Sequence, residues 1–99
     1  MAKKVIWSKR ALKERFELFD YWNNRNKSTL YSYKLNEQIK ATTALLSLSP
    51  LVGKKTDIET VRIKLIGHYL LFYEIREHEI CILSLKDGRQ HPDKLNLFQ

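Results

Sequence analysis

With 99 residues the chain is long enough to bury one modest core, so a single domain over residues 1–99 is expected. The single cysteine, Cys81, excludes an internal disulfide and an all-cysteine metal cluster, and a buried thiol in the cytosol is the natural reading. A net charge of +7 favours a nucleic acid, the ribosome or an acidic protein as partner, against the plainer alternative that surplus lysine only keeps the protein soluble.

Lys3 to Trp7 reads as a short strand, with β-branched Val5 and Ile6 beside Trp7. No apolar signal-peptide core follows Met1. Ser8 is a helix N-cap, and Leu12, Phe16, Phe19 and Trp22 recur at helical spacing as far as about Asn24. Asn23, Asn24 and Asn26 supply residues that tolerate a left-handed helix end. Ser28 is a second N-cap, and Tyr31, Leu35, Ile39, Thr42 and Leu46 form the stripe of a second helix, which Ser49-Pro50 ends. The longest uncharged run, Ala41 to Gly53, contains Pro50 and is too short to span a membrane.

Gly53 to Asp57 reads as a basic loop. Val61, Ile63 and Leu65 then alternate with Arg62 and Lys64, which predicts a strand with one dry and one wet face. Tyr69–Ile75 and Ile80–Leu85 are the last two strands, joined by a charged turn over residues 76–79. The order βααβββ predicts an α+β fold of two layers, a helical hairpin on one face of a mostly antiparallel four-stranded sheet. Leu12, Phe16, Phe19, Leu35, Ile39, Leu46, Ile63, Phe72 and Ile82 are the expected core.

The sequence carries no phosphate-binding glycine motif and no metal-ligand spacing among His68, His78 and His91, so no cofactor or metal is expected. Cations remain. Arg62 and Lys64 point the same way from one strand, Lys54 and Lys55 precede it, and Arg89 and Lys94 follow the last strand. Arg offers a planar fork and Lys a point charge for phosphate or for an acidic surface. His91 is the one nearby side chain whose ordinary pKa suits acid–base work. Singly, each is more often only a solvated surface or turn residue.

The chain resembles the RelE/ParE superfamily of toxins from bacterial type II toxin–antitoxin modules. The likeness runs from Lys4 to Leu95. It is most specific at Gly67-His68-Tyr69-Leu70-Leu71-Phe72-Tyr73 and at Asp87-Gly88-Arg89-Gln90-His91-Pro92. It implies growth inhibition relieved by an acidic antitoxin, a toxin–antitoxin hetero-oligomer and no membrane. The nuclease branch cuts mRNA on the ribosome. It matches here at Arg62, Lys64 and Arg89, but it carries an Arg where Leu70 stands and a tyrosine near the C-terminus, where none follows Tyr73. In that branch Arg89 and His91 would be catalytic. The ParE branch inhibits DNA gyrase without catalysis, and Leu70 and the Arg89–Pro92 turn resemble it more closely. A non-toxic basic domain that binds nucleic acid or the ribosome is a third alternative.

Overall fold

The computed structural model describes residues 2–89. Strand β1 (Lys4–Trp7) leads into helix α1 (Lys9–Asn26), which a short turn joins to helix α2 (Leu30–Leu48). A single 3-10 turn, Pro50–Val52, follows. The chain then forms β2 (Lys54–Lys55), β3 (Val61–Ile66), β4 (Tyr69–Ile75) and β5 (Glu79–Asp87). Among the described residues no helix is long and apolar enough to cross a membrane.

The ends of these elements follow from local chemistry. Ser8 caps α1: its Oγ accepts the Ala11 amide at 3.0 Å, satisfying one orphan donor of the first turn. The helix closes on Lys27, whose φ of 53° is left-handed. The asparagines before it remain helical, so the expected end near Asn24 comes two residues early. Thr29, not Ser28, is the N-cap of α2, while Ser28 Oγ accepts the Leu30 amide at 3.1 Å.

The two-layer α+β architecture is as expected, and the sheet differs in detail. It has five strands in the order β1-β5-β4-β3-β2, with β1 parallel to β5 and every other pair antiparallel. The additional strand is Lys54–Lys55, taken for loop in the sequence. Two lysines carry no apolar alternation, and only backbone pairing to Ile63 and Arg62 makes them a strand. Lysine on an edge strand also discourages further pairing.

The helical hairpin lies over β1, β5 and β4. Leu35, Ile39 and Leu46 of α2 and Ala11 of α1 pack on Tyr69, Leu71, Tyr73, Ile80, Ile82 and Leu85. Phe72 is buried as expected, and Phe19 and Ile63 are half-buried. Leu12 and Phe16 are exposed, Phe16 by 67%. Helix α1 is turned by about one residue from the expected stripe. Ala11, Arg15, Leu18 and Trp22 face inward, at spacings of four, three and four. Arg15 takes a core-facing place because its guanidinium stacks on Trp7, 4.6 Å from the ring centre, and donates to Asn36.

A register shift between β4 and β5 places Phe72 opposite Ser84 and Tyr73 opposite Ile82. The extra residue, Leu83, inverts the alternation of β5. Ile80 and Ile82 face the helices before it, and Leu85 and Asp87 after it. Such a bulge re-aims whatever follows on the strand, and here that is Asp87 and the turn beyond it.

Candidate functional site

Asp87 ends β5 opposite Tyr69. The chain then turns through Gly88, whose amide donates to the His68 carbonyl at 2.9 Å. The Arg89 amide donates to Asp87 Oδ1 at 2.9 Å, the side-chain-to-backbone turn that Asp favours. The Arg89 Nε and Nη2 approach the same carboxylate at 3.4 Å. Burial pushes the Asp87 carboxyl up, but the amide and guanidinium of Arg89 outweigh it and hold the group below the usual carboxylate range. The pair leaves the Arg89 guanidinium exposed but aimed.

Arg89 stands at one end of a groove of about 700 Å³ between the second half of α1 and the end of β5. The wall is largely aromatic. Trp22 Nε1 donates to the Tyr69 hydroxyl at 2.7 Å. Burial raises the Tyr69 pKa to about 12, so the phenol stays neutral. Tyr31 tilts on Trp22 at 4.7 Å between ring centres, and the Arg25 guanidinium lies 5.9 Å from the Trp22 ring. On the opposite side Glu14 forms an ion pair with Lys86 and accepts from Ser84 Oγ at 2.6 Å and from the Leu85 amide at 3.2 Å. Strand β1 covers β5 only through Ile82; beyond it, this carboxylate takes the free edge amide. Burial raises the Glu14 pKa, but Lys86, Ser84 and Leu85 together bring it below its ordinary value.

Among the described residues, the other expected cations do not join this groove. Arg62 and Lys64 do point the same way, as the strand period requires, but toward the helix layer. They stand opposite Tyr73 and Leu71, both core residues, and directly opposed residues share a face. The expected wet face therefore carries Val61, Ile63 and Leu65, of which Leu65 is 59% exposed. Cations are tolerated on the helix side because β3 lies at the margin of the hairpin, where long side chains reach outward along apolar neighbours.

Arg62 is committed to the fold. Its Nη1 donates to the carbonyls of Leu51 at 3.0 Å and Gly53 at 2.8 Å, and its Nε is buried without a partner. The adjacent Tyr73 hydroxyl donates to Pro50 O at 2.6 Å and accepts the Gly53 amide at 2.9 Å. A Cβ on Gly53 would lie 2.8 Å from Tyr73 Cε1, so this close approach requires glycine. Arg62 is also remote from Arg89. The β4 partners of Arg62 and of Asp87, the carboxylate that holds Arg89, are Tyr73 and Tyr69, four residues apart, about 13 Å along a strand. Lys64 is half-buried, and Lys54 and Lys55 are exposed on the edge. His91 and Lys94 lie outside the described residues. Leu70 sits beneath the turn, its Cγ 3.3 Å from where a Gly88 Cβ would be.

Sequence reasoning missed Glu14, Tyr21, Trp22, Arg25 and Tyr69 as groove residues. Glu14, Leu18, Tyr21 and Arg25 do share one helical face, so the signal was present; the rotation of α1 on the sheet was not. Among the described residues no three His, Cys, Asp or Glu side chains are grouped to hold a metal ion.

This geometry is that of a small two-layer α+β domain with an arginine-bearing turn after the last described strand. A sequence model of the family described as "ParE toxin of type II toxin-antitoxin system, parDE" matches residues 5–92, and the chain belongs to that family. Two solved structures share the fold. One, from the chromosomal ParDE toxin–antitoxin system of P. aeruginosa, has a TM-score of 0.73 at 14% identity, over 87% of this chain and 96% of that one. The other, from the RelBE2 toxin–antitoxin complex of Mycobacterium tuberculosis, has a TM-score of 0.58 at 19% identity, over 88% and 99%. No curated protein matches the chain closely enough to count as a relative.

Proposed function

We propose that this toxin arrests growth as a binding protein that inhibits DNA gyrase, and that a cognate acidic antitoxin relieves it. The observation that carries the choice of mechanism is the dispersal of the cations. Phosphodiester cleavage needs charge stabilisation and proton transfer converging on one phosphate. Arg62 is bonded to two backbone carbonyls, and Arg89 lies two strands away and paired with Asp87. Leu70 occupies the strand position where the nuclease branch places Arg. A binding surface needs no such convergence. Arg89, held out by Asp87 at the rim of an aromatic groove, suits recognition of an acidic or aromatic surface. The match to the ParE family supports the same reading.

The test is a supercoiling assay with purified gyrase, run beside translation of a defined mRNA on purified ribosomes with 5′-end mapping. Inhibited supercoiling without codon-phased cuts is expected, and Arg89→Ala should weaken it. His91→Ala should leave a gyrase inhibitor mostly active and abolish a nuclease that uses His91. Codon-phased cuts that vanish in His91→Ala would replace this reading with the nuclease one.

A further inference from the structure

Between Asp20 and Glu37 the chain carries no carboxylate. That window spans the turn of the helical hairpin, and it holds Arg25, Lys27, Lys34, Trp22 and three of the chain's five tyrosines. All three cations are exposed. So are the tyrosines, Tyr33 by 63%, Tyr21 by 51% and Tyr31 by 38%. Leu30 apart, the exposed apolar surface at this end of the hairpin is ring surface. The helix period pairs rings with cations. Tyr21 and Arg25 lie four residues apart on α1, and Tyr31 and Lys34 three apart on α2, so each couple shares a face.

The cluster is built on Trp22. Its indole is held by the bond to the Tyr69 hydroxyl at 2.7 Å. Tyr21 meets it edge-on at 5.1 Å between ring centres, and Tyr31 tilts on it from the other helix. Arg25 lies over the same indole and donates to the Tyr21 hydroxyl at 3.5 Å. A surface ordered in advance binds without the entropy of ordering itself. Arg25 and Arg89 also line one groove, so the cationic track continues from the hairpin to the turn after β5.

An acidic protein would match the cations and leave the rings without a regular complement. The polymer that offers an anion and a flat ring at every unit is a nucleic acid. In a duplex the ring faces are stacked on one another, so exposed side-chain rings suit an unpaired strand. We propose that the tip of the helical hairpin, Tyr21–Lys34, binds single-stranded DNA, with Tyr21 and Tyr33 stacking on bases and Arg25, Lys27 and Lys34 meeting phosphates. The choice of DNA over RNA rests on the gyrase reading above, whose target acts on DNA; the inference adds that the toxin itself holds a strand.

The test is fluorescence anisotropy of the full chain with a labelled thymidine oligomer of about 15 nucleotides, without gyrase, over a range of salt. Arg25→Ala and Lys34→Ala should each weaken binding about 3- to 10-fold and reduce the slope of log affinity against log salt by about 0.7, one phosphate's share on a single strand. Tyr33→Ala should weaken binding about 5- to 100-fold, and Tyr33→Phe should bind like wild type, since the ring does the stacking. The Lys54→Ala, Lys55→Ala double variant removes two charges from the β2 edge and should stay within about 2-fold of wild type at physiological salt. Because all these side chains are exposed, urea midpoints near wild type will show that each variant is folded.

Wild-type affinity in Arg25→Ala or Tyr33→Ala overturns the proposal. An equal loss in the Lys54, Lys55 variant also overturns it, since net charge alone then holds the oligomer. Equal or tighter binding to a duplex of the same length does the same. Tighter binding to a uridine oligomer overturns the assignment to DNA and gives the surface to RNA. Gyrase inhibition by a wild-type chain that binds no oligomer overturns this proposal and leaves the gyrase reading standing; oligomer binding without inhibition does the reverse.

Discussion

Removing the Glu14 carboxylate should cost the fold more than any other single polar change on α1. Its side chain is only 13% exposed and serves Ser84, Leu85 and Lys86 at once, with Arg10 at 3.7 Å. Ser84 is fully buried, so its hydroxyl has no water to turn to; stranding it costs about 1–3 kcal/mol. The Leu85 amide loses its acceptor at the point where β1 has ended, which adds about 1 kcal/mol. The ion pair with Lys86, itself 35% exposed, adds at most about 1 kcal/mol after screening. Glu14→Ala should therefore destabilise by about 2–5 kcal/mol, a large share of the roughly 5–15 kcal/mol of a small domain. The effect should depend on pH. The folded-state pKa lies below the ordinary 4.5, so the ionised group stabilises the fold above that pH, and the contribution is lost as pH falls through the folded value. Glu14→Gln keeps an acceptor for Ser84 but cannot titrate, so it should cost less and flatten the acid limb of the stability curve. Urea unfolding from pH 3 to 7 measures both. A Glu14→Ala, Ser84→Ala double-mutant cycle with no coupling, or a Glu14→Ala change within about 0.5 kcal/mol of wild type, would refute the reasoning.

The same unfolding assay separates the two helices. Leu35→Ala should cost about 2–5 kcal/mol because it empties a buried site, whereas Phe16→Ala, on an exposed face, should cost less than about 1 kcal/mol. Tyr73→Phe should cost about 1–3 kcal/mol by leaving the Gly53 amide and the Pro50 carbonyl without their partner, with a smaller loss if water replaces the hydroxyl. Gly53→Ala should also destabilise, since its new methyl meets the Tyr73 ring.

The sequence was most legible where local chemistry decides. Ser8 as a cap, Pro50 as a stop and the two central strands needed only their own residues and immediate neighbours. Strand β4 runs over Tyr69–Ile75, as its apolar content predicts. What could not be read were matters of relative placement. The period of α1 fixes which residues share a face, but several faces of that helix carry apolar side chains, and Leu12-Phe16 looks as suitable for the core as Ala11-Leu18. Packing chose the second because Ala11 permits close approach and Arg15 covers Trp7 with its guanidinium plane. The pairing of Lys54–Lys55 left no side-chain signal at all.

The candidate site failed to show in the sequence for a related reason. Alternation in β3 correctly put Arg62 and Lys64 together, and the rule that charges face water then put them on the wrong side. That rule presumes a sheet wholly covered by its helices. Here β3 lies at the margin of the hairpin: its end still reaches the core through Ile66, while at Arg62 the helix side holds a cation anchored by carbonyls and the opposite side keeps exposed Leu65. The bulge at Leu83 did the converse at the other end of the sheet. It turned Asp87 toward the helices and made a groove from residues on α1 that a reading of the last strand alone had no means to connect with Arg89. In a fold this small, the residues that meet at a site are set by where a layer ends and where a strand slips. Neither property is written in the period of any one element.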